Sequence, residues 1–253
     1  MLSIERSATI KNIILEKKSI TVADMAKKFN VSSETIRRDF EALEKEGFLI
    51  KTYGGAALKE RVGMHVSKNI LSGILVEEKR RMAQAAAKQI RPNECIFLDH
   101  STTVYEMCHL IENIPLTIMT NSLSIIDYFA GVKNIQLVTP GGNFNQSAYA
   151  FFGIEAIKFL QNHSLDKAFL SCRTLDIKRG LCEADELIAE MRRNIIENSV
   201  ESYLLADHTK LGKTAFVCTC AASDIDCLIT DVRLEKEWND YLKTHHVKHI
   251  ACP

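Results

Sequence analysis

From residue 95 onward the chain alternates short apolar runs with helical patterns, and this alternation limits its fold more than any other feature. The strand-like runs are residues 95–98, 116–119, 135–138, 167–170, 202–205 and 227–230. Helical patterns fall between most of them, at 102–111, 123–129, 148–160 and 184–198. A further helix over 233–243 and a strand over 247–251 close the series. Ahead of the series, residues 74–91 read as a helix with Ala83, Ala86, Ala87 and Ile90 on one side. Strands that regularly return through a helix pair in parallel, so residues 74–253 are expected to form an α/β domain with a mostly parallel sheet. Ligands of such sheets bind at the strand C-termini.

Residues 1–58 follow a different rhythm. Ile10, Ile13 and Ile14 make a helical stripe within residues 4–18. Thr21 and Asp24 have capping-box spacing and open a second helix with Val22, Met25, Ala26 and Phe29 inward. Asn30 and Val31 break it, and Ser32 or Ser33 caps a third helix that buries Ile36, Phe40 and Leu43. Gly47 stands where a left-handed residue would end that helix. Residues 48–53 and 56–58 then form a hairpin around Gly54 and Gly55. This is the outline of a winged helix-turn-helix, followed by a connector of mixed polarity over 59–73.

The third helix leaves Ser33, Thr35, Arg37, Arg38 and Glu41 on its outer face. Arginines at this end of the second helix of the motif suit bidentate bonds to guanine, and the hydroxyls of Ser32, Ser33 and Thr35 suit phosphates. Lys51 and Tyr53 on the wing are placed to touch the adjacent DNA backbone. The competing reading is a solvated face on which Arg37, Arg38 and Asp39 pair with Glu34 and Glu41. The charge total does not decide between them, because 32 basic and 32 acidic residues cancel. Residues 1–62 carry 12 basic and 9 acidic residues, while the remainder carries 20 and 23. A modestly cationic module is thus joined to an acidic domain that would not hold DNA nonspecifically.

Eight cysteines are expected as reduced thiols, since Cys218 and Cys220 lack a second pair or a histidine at metal-site spacing. No metal, no cofactor and no catalytic cluster is expected. The longest apolar stretches, such as 148–152, fall far short of the ~18 residues of a membrane span. The first residues lack the apolar segment of a signal peptide, so a cytoplasmic protein with no membrane partner is expected.

Polar residues gather at the strand ends. Asp99, His100, Ser101, Thr102 and Thr103 follow the first strand and begin a helix, where hydroxyls and backbone N–H groups suit a phosphate. Thr120, Asn121 and Ser122 repeat the device after the second strand. Gly141 and Gly142 follow the third and allow close backbone approach, and Asp207 and Lys210 follow a later strand. Taken singly these are ordinary helix caps. Together they point to a small phosphorylated ligand.

Several stretches resemble the DeoR family of transcriptional regulators. In the first domain these are Arg6 with Ile10, residues 31–40 (VSSETIRRDF), 43–47 (LEKEG) and 52–56 (TYGGA). In the second they are Glu78-Lys79, residues 98–103 (LDHSTT), 120–123 (TNSL), Gly141-Gly142, Gly153, 166–169 (DKAF), 180–182 (GLC), 207–210 (DHTK) and 229–231 (ITD). The resemblance implies a sensor domain similar to ribose-5-phosphate isomerase and glucosamine-6-phosphate deaminase. It implies a regulator of carbohydrate-metabolism genes, in most members a repressor, that binds operator DNA and a phosphorylated sugar as a dimer or tetramer. The alternative is a sugar-phosphate isomerase or deaminase with an accessory helix-turn-helix, using Asp99, Asp207 and Lys210 as acid and base groups. Two places depart from the family pattern. His100-Ser101 stand where Ser-Gly is usual, and Ser171, Cys172 and Arg173 partly replace small residues.

Overall fold

Side-chain caps set the ends of the early helices. α1 (Ser3–Lys17) buries Ile10 and Ile14 and is followed by a short strand, β1 (Ser19–Thr21). Thr21 caps α2 (Val22–Phe29) by accepting the Asp24 N–H at 3.0 Å, and donates its hydroxyl to the Asp24 carboxylate at 2.7 Å. Asn30 ends α2 in the left-handed region. Of the two serines, Ser32 is the cap of α3 (Ser33–Lys45), accepting from Thr35 N at 3.2 Å. Gly47 leaves α3 at φ +78°. β2 (Leu49–Thr52) and β3 (Gly55–Leu58) form the wing, and β1 pairs with β3 to give a sheet in the order β1-β3-β2.

The computed structural model describes residues 3–58 and 68–253, and the chain divides into two compact units at Val76 and Glu77. Part of the expected connector, 59–67, lies outside the described residues. Its last part is α4 (Lys68–Ser72), and Ile70, Ile74 and Leu75 join the apolar core of the first unit. Leu75 is held in the left-handed region at φ +51°, with its N–H donated to Asn12 Oδ1 at 3.3 Å.

One buried ion pair ties α1 to α3. Arg6 grips Asp39 with two parallel bonds, Nε to Oδ2 at 2.6 Å and Nη2 to Oδ1 at 3.0 Å, and both side chains are buried. Asp39 therefore faces inward, not toward the Glu34 and Glu41 network. Its hydrogen bond is the main reason that the Arg6 guanidinium holds its proton even more firmly than usual.

α5 (Val76–Ala87) leads into the second unit. In chain order there follow β4 (Cys95–Leu98), α6 (Thr102–Tyr105), α7 (Cys108–Ile111), β5 (Leu116–Thr120), α8 (Leu123–Phe129), β6 (Ile135–Val138), β7 (Asn143–Asn145), β8 (Ala150–Phe152), α9 (Ile154–Gln161) and β9 (Leu165–Leu170). Then come β10 (Thr174–Asp176), β11 (Gly180–Glu183), α10 (Glu186–Glu197), β12 (Ser199–Leu205), β13 (Val217–Cys220), β14 (Cys227–Thr230), α11 (Lys236–Thr244) and β15 (Lys248–Ala251). Seven strands form one parallel sheet in the order β15-β14-β12-β9-β4-β5-β6. Alternation along each strand feeds two cores. Ile96, Leu98, Phe169, Tyr203 and Leu205 pack with α5 to α8, while Phe97, Ala168, Leu170 and Leu204 pack with α9 to α11.

Two expected helices are corrected. The pattern over 102–111 is broken into α6 and α7 at Glu106 and Met107. Residues 148–160 are not one helix, because β8 pairs antiparallel with β7 before Gly153 turns the chain into α9. Gly153 adopts φ +132°, which no helix interior accepts. A second small sheet, β10-β11-β13, is antiparallel and has no counterpart in the expected strands.

Candidate DNA-reading face and effector site

On α3 the outward residues are those the helical spacing predicts. Ser33, Arg37 and Arg38 are exposed and Thr35 is half-buried. Ser32 Oγ caps the helix and lies 2.9 Å from Thr35 Oγ1, so both hydroxyls sit beside the helix N-terminus. Arg37 and Arg38 each approach Glu34, at 3.8 and 3.6 Å. Exposed pairs of this kind contribute only ~0–1 kcal/mol and are screened by salt, so they leave the guanidinium groups available to a stronger anion. Lys51 is more committed. Its ammonium lies 3.2 Å from Glu41 and 3.7 Å from Glu44, and its N–H donates to Glu44 at 2.9 Å. Tyr53 stands fully exposed at the wing tip.

In the second unit, the strand order reverses beside β4. Its neighbours are β5 on one side and β9 on the other, so the loops leaving β4 and β9 diverge at their C-terminal ends, the position where sheets of this kind form a ligand crevice. Asp99 sits at this switch point and is buried. Its carboxylate accepts from Ser101 N at 2.9 Å, from Ser171 N at 2.9 Å and from Arg192 Nη2 at 3.0 Å. Burial opposes ionisation there, but the charges of Arg192 and His100 and the hydrogen bonds of Ser101 and Ser171 outweigh it. Asp99 is held below the usual carboxylate range. With both oxygens occupied, Asp99 positions the two loops that flank the crevice.

Ser171 links this carboxylate to the cationic side of the crevice. Its N–H goes to Asp99, while its Oγ accepts from Lys210 Nζ at 2.6 Å and donates to the Leu205 carbonyl at 2.7 Å. Lys210 also lies 3.5 Å from Asp207, which caps the short turn over His208–Lys210 by accepting from Thr209 N at 3.1 Å. Burial again opposes the charge on Asp207, and Lys210, Thr209 and Lys79 overcome it. His208 is fastened to the buried Asp231 by its N–H at 2.7 Å and by Nδ1 at 2.6 Å.

The other expected residues divide into supports and candidates. Ser101 caps α6 by accepting from Val104 N at 3.1 Å, and Thr102 and Thr103 are buried. α6 has only four residues, so its dipole adds little to an anion site. Thr120 donates to the Leu98 carbonyl at 2.6 Å and accepts from Ser122 N at 3.1 Å, which ties the β4 and β5 ends together. Asn121 donates to the Phe151 carbonyl at 3.1 Å. Asn121 Oδ1 and Ser122 Oγ are buried with no hydrogen-bond partner among the described residues, so both oxygens have capacity to spare. Gly142 is explained by packing, since a Cβ there would lie 2.6 Å from the Phe152 carbonyl oxygen. Gly141 faces open space. His100 packs edge-on against Phe152, with ring centroids 5.1 Å apart.

Three charged groups of this region are absent from the expected set: Arg192, Glu183 and Lys79. Arg192 bridges Asp99 and Glu183 from within α10, and Glu183 also accepts from Arg173 N at 2.9 Å. Burial works against the Arg192 charge, but Glu183 and Asp99 more than compensate, so its pKa is raised. The signal was present in the sequence: Arg192 falls on the apolar stripe Ile188, Met191, Ile195. Lys79 on α5 is only 4% exposed. Burial, with repulsion from Lys210, pulls its ammonium down to about 8.

Among the described residues no group of His, Cys, Asp and Glu is placed to hold a metal ion, and no helix is long and apolar enough to cross a membrane. Residues 6–62 match the DeoR-like helix-turn-helix domain, and residues 75–232 match the DeoR C terminal sensor domain. The chain belongs to the DeoR family of transcriptional regulators. It is 33% identical over its whole length to the HTH-type transcriptional regulator YulB of Bacillus subtilis, covering 98% of that protein. It is 27% identical to the glycerol-3-phosphate regulon repressor of Escherichia coli, over 98% of each chain. The ribose 5-phosphate isomerase of Methanocaldococcus jannaschii aligns over 53% of each chain with a TM-score of 0.39 and 17% identity. These relatives along the full length are transcriptional regulators, and the isomerase or deaminase alternative is set aside.

Proposed function

We propose that this DeoR-family regulator is a repressor of carbohydrate-metabolism genes, released or recruited by a phosphorylated sugar bound at the β4–β9 crevice. The observation that carries the reading is the pairing of Lys210 with the buried Lys79 in one electrostatic neighbourhood beside Ser171. Two ammonium groups that repel one another are relieved by a dianion, and the spare oxygens of Asn121 and Ser122 suit sugar hydroxyls. The repressor relative of glycerol-3-phosphate metabolism supports the same ligand class. In this reading Asp99, Ser101, Thr102, Thr103, Thr120, Asp207, Gly141 and Gly142 shape the crevice, and His100 at its rim selects among effectors.

A thermal-shift titration with sugar phosphates, the parent sugars and inorganic phosphate tests the site. Stabilisation should grow with the concentration of a sugar phosphate and not with that of its parent sugar. Lys210→Ala should abolish the shift while leaving operator binding by the free protein intact. If parent sugars stabilise equally, the phosphate site is wrong.

Lys79 adds a pH signature. Its charge is needed for the dianion, so effector affinity should fall as pH rises through about 8. In Lys79→Met affinity should be lower, and that decline should be missing. Isothermal titration between pH 7 and 9 reads both, and an unchanged decline in the variant would exclude Lys79.

On the DNA side, Arg37 and Arg38 read bases while Ser32, Ser33, Thr35, Lys51 and Tyr53 contact the backbone. Arg37→Ala should cost ~1–3 kcal/mol on an operator selected from random DNA and relax preference at one base pair. An equal loss on unrelated DNA would make Arg37 a phosphate contact. The reading includes a dimer or tetramer, since two modest cationic modules on a palindromic operator bind far more tightly than one.

A further inference from the structure

We propose that Cys182 and Cys218 are a redox modification site, which a low-molecular-weight disulfide such as oxidised glutathione converts to an intramolecular disulfide across β11 and β13. The two residues are partners in the antiparallel register of these strands, next to a bulge between Leu181 and Cys182. Their sulfurs lie 3.7 Å apart, with the Cys182 thiol donating to Cys218. Directly opposed residues of antiparallel strands have Cα atoms ~4.5–5.5 Å apart, inside the ~4.4–6.8 Å that a disulfide spans. Rotation about the two Cα–Cβ bonds brings the sulfurs from 3.7 Å toward bonding distance.

The two sulfurs differ in access. Cys182 is fully buried and Cys218 is half-exposed. Burial, followed by the contact with Cys218, pushes the Cys182 thiol up, so it ionises late. Cys218 is therefore the point of entry. Its thiolate attacks one sulfur of glutathione disulfide, forming a mixed disulfide and expelling a glutathione thiolate, which takes up the proton that Cys218 released. The Cys182 thiolate then attacks the Cys218 sulfur and expels the second glutathione. The protein loses two electrons and two protons, and glutathione disulfide is reduced to two thiols.

The position links this chemistry to the sensor. Cys182 precedes Glu183 on β11, and Glu183 holds Arg192, the counter-ion of Asp99. A bond across β11 and β13 clamps the strand that carries Glu183.

The test uses the full-length protein incubated with oxidised glutathione, alkylated, and mapped by mass spectrometry after proteolysis. The Cys182 and Cys218 peptides should be recovered joined. The melting temperature should rise by roughly 5–10 °C, since the bond closes a loop of 36 residues, and fall back with dithiothreitol. Cys182→Ser should accumulate glutathione on Cys218, and Cys220→Ser should still form the bond. Wild-type protein that keeps a glutathione adduct on Cys218, joins Cys218 to another cysteine, or fails to react would overturn the proposal. Because the peptide map is read on the wild-type chain, misfolding of a variant does not blur the outcome.

Discussion

Asp39→Ala is expected to remove ~3–5 kcal/mol from the DNA-binding unit, the usual cost of leaving one buried member of an ion pair without its partner. Arg6 has no other carboxylate within ion-pair distance among the described residues, and its two parallel bonds to Asp39 are what permit its burial. A unit of this size is stabilised by only ~4–11 kcal/mol in all, so a large fraction of its stability depends on one contact. Denaturant unfolding should show an early transition for this unit, while the transition of the sensor unit keeps its midpoint. Operator binding should disappear with the early transition. Arg6→Met combined with Asp39→Leu should recover most of the stability, because an apolar pair of similar volume carries no desolvation cost. A loss below ~1 kcal/mol in Asp39→Ala would mean that water replaces the carboxylate and that the pair is a surface contact.

Arg192→Met is expected to do comparable damage to the sensor unit, with a dependence on pH that identifies its cause. The guanidinium serves two buried carboxylates, and its loss strands both Asp99 and Glu183, again at ~3–5 kcal/mol. In the wild type Asp99 is held below its ordinary value, so it contributes stability that is present above ~4 and lost as pH falls through the depressed value. In the variant burial acts on Asp99 without its main counter-charge and drives that carboxyl upward. The variant's deficit should therefore be greatest near pH 7 and shrink as pH falls toward 4, where protonation removes the stranded charge of Asp99. Urea midpoints for the two proteins across that range measure it. A deficit that stays constant with pH would assign the effect to lost packing of the arginine stem. Arg192→Lys should restore only part of the stability, since an ammonium cannot bridge two carboxylates in the plane of a guanidinium.

These two arginines mark where sequence reasoning reached its limit. The cap at Thr21, a serine cap at 32 or 33, the left-handed Gly47 and the apolar runs beginning at Cys95, Leu116 and Ile135 are legible because each is a local signal acting over a few residues. The Arg6–Asp39 pair spans 33 residues and Arg192–Asp99 spans 93, so no local pattern joins them. Residues 148–160 misled for a different reason. Ala148, Phe152, Ala156 and Leu160 recur every fourth position, a helical period, although the first two lie on or beside a hairpin. The strands of the small antiparallel sheet have only three or four residues and no alternation long enough to register. The crevice residues were found as a group because loops leaving parallel strands converge on one edge. Which of them hold the loops depends on contacts between distant segments: Asp99 and Thr120 are fully engaged within the protein.

The strand added by residues 19–21 alters what the wing can be. A lone two-stranded hairpin is marginal in water and would sample many orientations, each of which DNA would have to suppress on binding. Here β3 lies between β2 and β1, and Gly55 is packed so closely against the Ile20 carbonyl that no larger residue fits. The exposed ring of Tyr53 is thus mounted on a rigid bracket anchored to the helices behind it. Its orientation is settled during folding, and the entropy of ordering the wing is spent before any operator is met.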